Sequence, residues 1–296
     1  MKLDTFIQQN RLPAAFAKSA ERCYLPFAEW LEARVAENKG RTYVLGINGA
    51  QGTGKSTLAQ LISEYLTSSK GRKVVILSID DIYLTRAERR SLGDNVHPLL
   101  CTRGVPGTHD VALGISLIER LCELQKGETL KVPAFDKSRD DRYPDSDWSS
   151  VNGPVDLVIF EGWCVASQAV ADAELQRPVN ELESSADADG RWRTYVNEQL
   201  AGSYVKLFAA LDGLLFLQVP NFSAVFRWRL EQEHKLRESA RQDADAVMSD
   251  AQVSEFIQYF ERITRNNLTV LPSTADAVIK LGDDHQALSL RLPKGT

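Results

Sequence analysis

The run Gly49-Ala50-Gln51-Gly52-Thr53-Gly54-Lys55-Ser56-Thr57 has the spacing G-x-x-x-x-G-K-[ST]. Its chemistry is phosphate binding: the glycines let the backbone curl until successive N–H groups face one anion. A helix opening behind the loop adds the favourable partial charge of its N-terminus. Lys55 can reach β- and γ-phosphates, and the Ser56 hydroxyl suits Mg²⁺. The flanks agree with this reading. Residues 43–48 form a short apolar run, and Leu58, Leu61, Ile62 and Tyr65 recur at helical spacing. The loop is expected to hold a nucleoside triphosphate.

Asp80 and Asp81 follow the apolar run 73–79, and Glu161 closes the run 157–160. In open parallel sheets ligands collect beyond the carboxyl ends of the strands. Carboxylates there can hold Mg²⁺, orient water or take a proton from an acceptor hydroxyl. An Asp of the pair can equally cap the next turn. Glu161 ends its strand in the manner of a Walker B acid, so Ser56, Asp81 and Glu161 are the metal candidates.

Other polar groups lie in turn-rich stretches. Arg103-Gly-Val-Pro-Gly-Thr-His109-Asp110 holds a cation, an imidazole and a carboxylate. It reads as a surface turn with Asp110 capping the next helix, or as a loop whose Arg103 clamps a substrate carboxylate. Asp136 and Lys137 follow a short strand at 130–135, which Pro133 restricts to a sheet edge, and their default reading is a solvated turn. In the helix expected at 222–238, Phe222, Val225, Phe226, Leu230 and Leu236 share one arc. Arg227 and Glu231 point away from it, as an exposed i, i+4 pair. Arg229 falls inside the arc and needs a buried partner, Glu233 or a phosphate, with the phosphate preferred. Arg237 lies at the arc's margin. The polar residues 239–246 can close as a lid, and Ser249 with Gln252 forms a capping box for another helix.

Short buried runs at 43–48, 73–79, 157–160, 214–219 and 278–281, with helical stretches between them, predict an α/β fold. A parallel sheet is expected, flanked by helices on both faces. Phe27, Trp30, Leu31 and Val35 mark an amphipathic helix that Gly40 can end, so residues 1–40 read as a helical segment packed outside a domain covering 41–296. Residues 165–211 read as an insertion, with a polar loop at 181–191 and a helix at 192–208. Net charge is −5 without a basic run, which argues against a nucleic-acid surface. No apolar stretch matches a membrane span or a signal core. Cys23, Cys101, Cys122 and Cys164 are scattered, as expected of reduced thiols in a cytoplasmic protein. Oligomeric state is not legible.

The phosphate loop, Ser78-Ile-Asp-Asp-Ile-Tyr-Leu84, the 103–110 loop and Lys131-Val-Pro-Ala-Phe-Asp-Lys137 together resemble the D-glycerate 3-kinase family. So do Phe160-Glu-Gly-Trp163, Phe226-Arg-Trp-Arg-Leu230 and Met248-Ser-Asp250. That family lies within the P-loop group of phosphoribulokinase, uridine kinase and pantothenate kinase. The resemblance implies ATP and Mg²⁺ as cofactors and transfer of the γ-phosphoryl group to the 3-hydroxyl of D-glycerate. It makes Asp80 the acceptor-side carboxylate and Arg227, Arg229 and Arg237 lid arginines, with the lid at about 227–250. For the small anionic acceptor Arg103 is the first cation and Lys137 the second, with Tyr83, His109 and Asp136 beside them. Lys55, Glu161 and Arg229 would balance charge on the transferring group. Two alternatives stand: a kinase for a nucleoside or pantothenate, walled by Tyr83, Phe135 and Trp163, or a regulatory ATPase.

Overall fold

The computed structural model describes residues 2–239 and 248–293. In chain order the strands are β1 (Tyr43–Gly49), β2 (Val74–Ser78), β3 (Thr129–Val132), β4 (Phe135–Asp136) and β5 (Asp141–Arg142). They continue as β6 (Ser149–Asn152), β7 (Leu157–Gly162), β8 (Gly213–Gln218), β9 (Ala277–Leu281) and β10 (Ala287–Arg291). Six of them form the central sheet in the order β10-β9-β8-β1-β7-β2. All its pairings are parallel except the β9–β10 edge hairpin. The fold is the expected α/β one, a mostly parallel sheet flanked by helices.

β1 and β7 are buried along their whole length. Strands covered on both faces read as unbroken apolar runs, which is why both stand out in the sequence. β2, at the edge, alternates between buried and partly exposed positions. The helix Lys55–Lys70 packs on β1, β2 and β7, and the helix Asp250–Thr274 packs on β8. The helix Leu25–Glu37 lies on Lys55–Lys70 and buries Phe27, Leu31 and Val35. Just before it, Ser19 Oγ accepts the Ala287 N–H (2.9 Å), joining the N-terminal helices to the β10 edge.

Three expectations need correction. The run 130–135 is not one strand at the edge of the main sheet. β3 pairs with β6 and β4 with β5, each antiparallel and outside the central sheet. Pro133 falls between them and has no N–H to continue a ladder. The helix expected at 192–208 is two, Arg191–Ala201 and Ser203–Phe208, broken at Gly202. β10 adds an antiparallel edge whose mostly exposed residues carry no apolar run to reveal it. Among the described residues no helix is long and apolar enough to cross a membrane.

Candidate active site

Register brings the chemistry together. Glu161 on β7 pairs with Ile47 on β1 and with Ser78 on β2, so the carboxyl ends of all three strands lie level. The phosphate loop leaves β1, Glu161 stands near the end of β7, and Asp80 and Asp81 lie in the 3-10 turn Ile79–Ile82 after β2. The Asp80 N–H donates to Ser78 Oγ (3.3 Å), which starts that turn.

Gly52 (φ 78°) and Gly54 (φ 82°) hold left-handed backbone that other residues rarely adopt. Thr53 Oγ1 donates to the Ala50 carbonyl (2.8 Å) and closes the curl. The helix begins at Lys55 with Gly54 as its cap. The amides of Gly54, Lys55, Ser56 and Thr57 donate to no backbone carbonyl among the described residues. A ring of unsatisfied donors at a helix N-terminus suits a phosphate.

Ser56 Oγ donates to Glu161 Oε1 (2.7 Å), and Lys55 Nζ lies 4.0 Å from Glu161 Oε2. Glu161 is buried, and its Oε2 has no hydrogen-bond partner among the described residues. A hydroxyl beside a buried carboxylate with an unused oxygen is the hard-oxygen donor set that Mg²⁺ prefers. Asp81 is oriented otherwise. It accepts the Phe135 N–H (3.3 Å), and burial pushes its carboxyl up.

Asp80 accepts from Lys137 Nζ (2.6 Å) at one oxygen and from the Tyr83 hydroxyl (2.8 Å) at the other. Burial works against its charge, but Lys137 and Lys55 and the two hydrogen bonds outweigh it, and its pKa falls to about 2. The carboxylate is therefore ionised at neutral pH. The Tyr83 ring stacks on His109, with centroids 4.5 Å apart. His109 Nδ1 lies 2.6 Å from the Tyr204 hydroxyl, which also accepts the Gly107 N–H (2.9 Å). His109 Nε2 is buried without a hydrogen-bond partner among the described residues, and burial lowers the His109 pKa to about 3.

Arg103 pairs with Asp140, donates to the Lys137 carbonyl (3.4 Å) and lies over the Phe135 ring. Asp140 also receives the fully buried Arg89 (3.0 Å). Asp136 is not part of this cluster. Its Oδ1 accepts Ser138 N–H (2.9 Å) and Ser138 Oγ (2.6 Å), capping the turn that carries Lys137. Asp110 caps the helix Val111–Glu123 and also receives Arg142 (3.2 Å). Sequence reasoning missed Asp140, Arg142 and Tyr204. The first two sit in a polar run without periodicity and the third in a stretch read as an insertion, so no local signal marked them.

The arginines of helix Phe222–Ser239 depart from expectation. Arg227 pairs with Asp283 rather than Glu231, and Glu231 lies 3.7 Å from His285. Arg229 pairs with Glu233, the partner ranked second to a phosphate. Arg237 donates to the Met248 carbonyl (2.9 Å). The helix nonetheless touches the loop: a methyl group added at Gly52 would lie 3.1 Å from Trp228 Cβ. Residues 240–247 of the expected lid lie outside the described residues, as does the side chain of Leu236.

A phosphate loop on β1, an acid on the adjacent β7 and carboxylates after β2, all at one edge of a mostly parallel sheet, define a P-loop kinase. The comparisons with known proteins narrow this. The chain is 35% identical to the uncharacterized kinase mug58 of Schizosaccharomyces pombe, over 75% of this chain and 79% of that protein. It is 30% identical to the chloroplastic D-glycerate 3-kinase of Arabidopsis thaliana, over 88% of this chain but 57% of that longer protein. The D-glycerate 3-kinase structure from Cryptococcus neoformans superposes with a TM-score of 0.75 at 23% identity, covering 90% of this chain and 98% of that one. The family model of the methylmalonyl Co-A mutase-associated GTPase MeaB matches residues 18–96, the stretch that contains the phosphate loop. The chain belongs with mug58 to the P-loop kinases, is similar to D-glycerate 3-kinases, and is an ATP-dependent phosphotransferase. Kinases of this family work with ATP and a divalent metal ion.

Proposed function

We propose that the chain transfers the γ-phosphoryl group of ATP to the 3-hydroxyl of D-glycerate, giving 3-phosphoglycerate and ADP. The observation that carries this reading is the ionised Asp80, held between Lys137 and Tyr83 at the level of the phosphate loop. The 30% identity to a D-glycerate 3-kinase supports the choice of acceptor. Tyr83, Phe135 and Trp163 are 4%, 7% and 3% exposed, so they offer little open ring face to a nucleobase, which favours a small acceptor.

Phosphoryl transfer has a loose transition state, so positioning and charge balance outweigh base strength. Asp80 orients the acceptor hydroxyl and takes its proton late, a role open to a weakly basic carboxylate. The loop amides and Lys55 hold the β- and γ-phosphates. Ser56 and Glu161 would hold Mg²⁺, which would supply positive charge to offset that of the phosphates. We assign Asp81 to fastening the Phe135 strand rather than to the metal. Arg103, beside Lys137, is the cation for the glycerate carboxylate, with Arg89 sharing Asp140 to keep its guanidinium in place. Arg229 reaches the transferring group only by leaving Glu233.

A panel of acceptors read by ADP release tests the reading. D-glycerate should stimulate release, and Arg103→Ala should raise the glycerate KM about tenfold to a hundredfold with little change for ATP. That range follows from the roughly 1.5–3 kcal/mol of a hydrogen bond to a charged group. Stimulation by a nucleoside or pantothenate and not by glycerate would overturn the assignment.

A further inference from the structure

Behind the phosphate loop, three buried side chains have oxygens without a hydrogen-bond partner among the described residues. Asn48, the residue before Gly49, is 1% exposed, and Thr264 and Asn267 on helix Asp250–Thr274 are each 3% exposed. Asn48 Nδ2 donates to the Val165 carbonyl (2.6 Å) and Asn267 Nδ2 to the Trp163 carbonyl (3.5 Å). Carbonyls only accept, so both amides are oriented with nitrogen toward the chain beyond β7 and oxygen the other way. Asn48 Oδ1, Asn267 Oδ1 and Thr264 Oγ1 have no hydrogen-bond partner among the described residues.

All three side chains line one cavity, together with Ala50 of the loop and Trp163. It leaves about 10 Å³ for the centre of a water-sized sphere. That is the space one water needs, and a buried water also needs two to four polar partners. Here two acceptors and one hydroxyl are available. A water can donate one proton to each Asn oxygen and accept the Thr264 proton, which satisfies all three groups. A cation would meet no formal charge in this set.

We propose that a single buried water bridges Asn48, Thr264 and Asn267, and that through it Thr264 and Asn267 act as positioning residues for the phosphate loop. The bridge sets the start of the loop against a helix that also packs on Phe222–Ser239, the helix bearing Arg229. Phe260 of the same long helix packs edge-on against Trp163, two residues beyond Glu161. One helix is thereby registered to the loop and to the β7 acid together. The inference rests on reading the loop as the nucleotide site.

Thr264→Val removes the hydroxyl at nearly constant shape, and Thr264→Ser keeps it. Calorimetric titration with ATP and Mg²⁺ should show affinity about threefold to tenfold weaker in Thr264→Val, the effect of losing one hydrogen bond. Thr264→Ser should remain within about twofold of wild type, although its lost methyl lowers the melting temperature. Asn267→Leu should weaken ATP in the same direction as Thr264→Val. A high-resolution crystal structure should show one water within hydrogen-bond distance of the three oxygens. Equal losses of affinity in the Val and Ser variants, unchanged affinity in Thr264→Val, or no water at this position would overturn the proposal. Wild-type protein without saturable ATP binding would instead overturn the nucleotide reading, an outcome separable from normal binding with a silent Thr264→Val.

Discussion

Asp80 stands where burial and positive charge oppose each other, and the charge wins. Asp80→Asn keeps the shape and a contact to Tyr83 but removes the proton acceptor. Turnover should fall about 10²–10⁴-fold while ATP affinity is retained, since general-base contributions have that size. A loss below tenfold in steady-state kinetics would remove Asp80 from its role. His109 shows the opposite case, a buried base held neutral. Its pKa drops from 6.5 to about 3, chiefly by burial and against the pull of Asp80. Between those values the unfolded chain binds a proton that the folded chain does not. Stability from this group is therefore complete above pH 6.5 and is lost as pH falls toward about 3. Denaturant melts across that window should show a shallower decline for His109→Gln than for wild type. Identical slopes would mean that His109 is not the buried neutral group described here.

At the scale of elements, the contact between the phosphate loop and helix Phe222–Ser239 carries the most consequence. Gly52 has left-handed backbone and faces Trp228 closely, so a side chain there is both strained and crowded. Gly52→Ala should destabilise the protein by about 1–2 kcal/mol from backbone strain alone. It should also weaken ATP binding, because the loop and the arginine helix must separate to admit the methyl. Guanidinium unfolding and a nucleotide titration on the same variant check both effects; normal values in both would show that the loop tolerates the change. The short strands β4 and β5 matter for a different reason. Their hairpin carries Lys137 and Asp140 between them and returns Asp141 to pair with Asp136, which brings the first two to Asp80 and Arg103.

Over the whole molecule, the stretch 165–211 is tied in rather than appended. Glu183 pairs with Arg262 (2.5 Å), and Leu182 N–H donates to Gln258 Oε1 (2.8 Å), fastening it to the long helix. Asp187, read as part of a polar loop, is fully buried and pairs with buried Arg193 (2.9 Å) while accepting the Trp192 N–H (2.7 Å). Removing one member of a buried pair strands the other charge, which typically costs about 3–5 kcal/mol. Asp187→Ala should lower stability by about that amount in equilibrium unfolding, while molecules that remain folded keep normal turnover. A loss below about 1 kcal/mol would place Asp187 among ordinary surface acids.

Features written into consecutive residues were legible without coordinates. The phosphate loop depends on where glycines permit a curl, and β1, β7 and β8 are runs of apolar side chains, so each is announced locally. The capping box at Ser249 and Gln252 and the Asp110 cap are likewise short-range. Pairing between charges was not legible, because a charged side chain on a polar stretch carries no mark of its partner. Arg227 has Glu231 four residues away and pairs with Asp283. Lys137 reaches Asp80, and Asp140 joins Arg89 to Arg103, across gaps in sequence that only the chain's path closes. The order of residues along the chain determined that a nucleotide loop would sit at the end of a buried strand. Strand register and the packing of two helices decided which carboxylates and cations would meet it, since those distances arise only when separate elements dock.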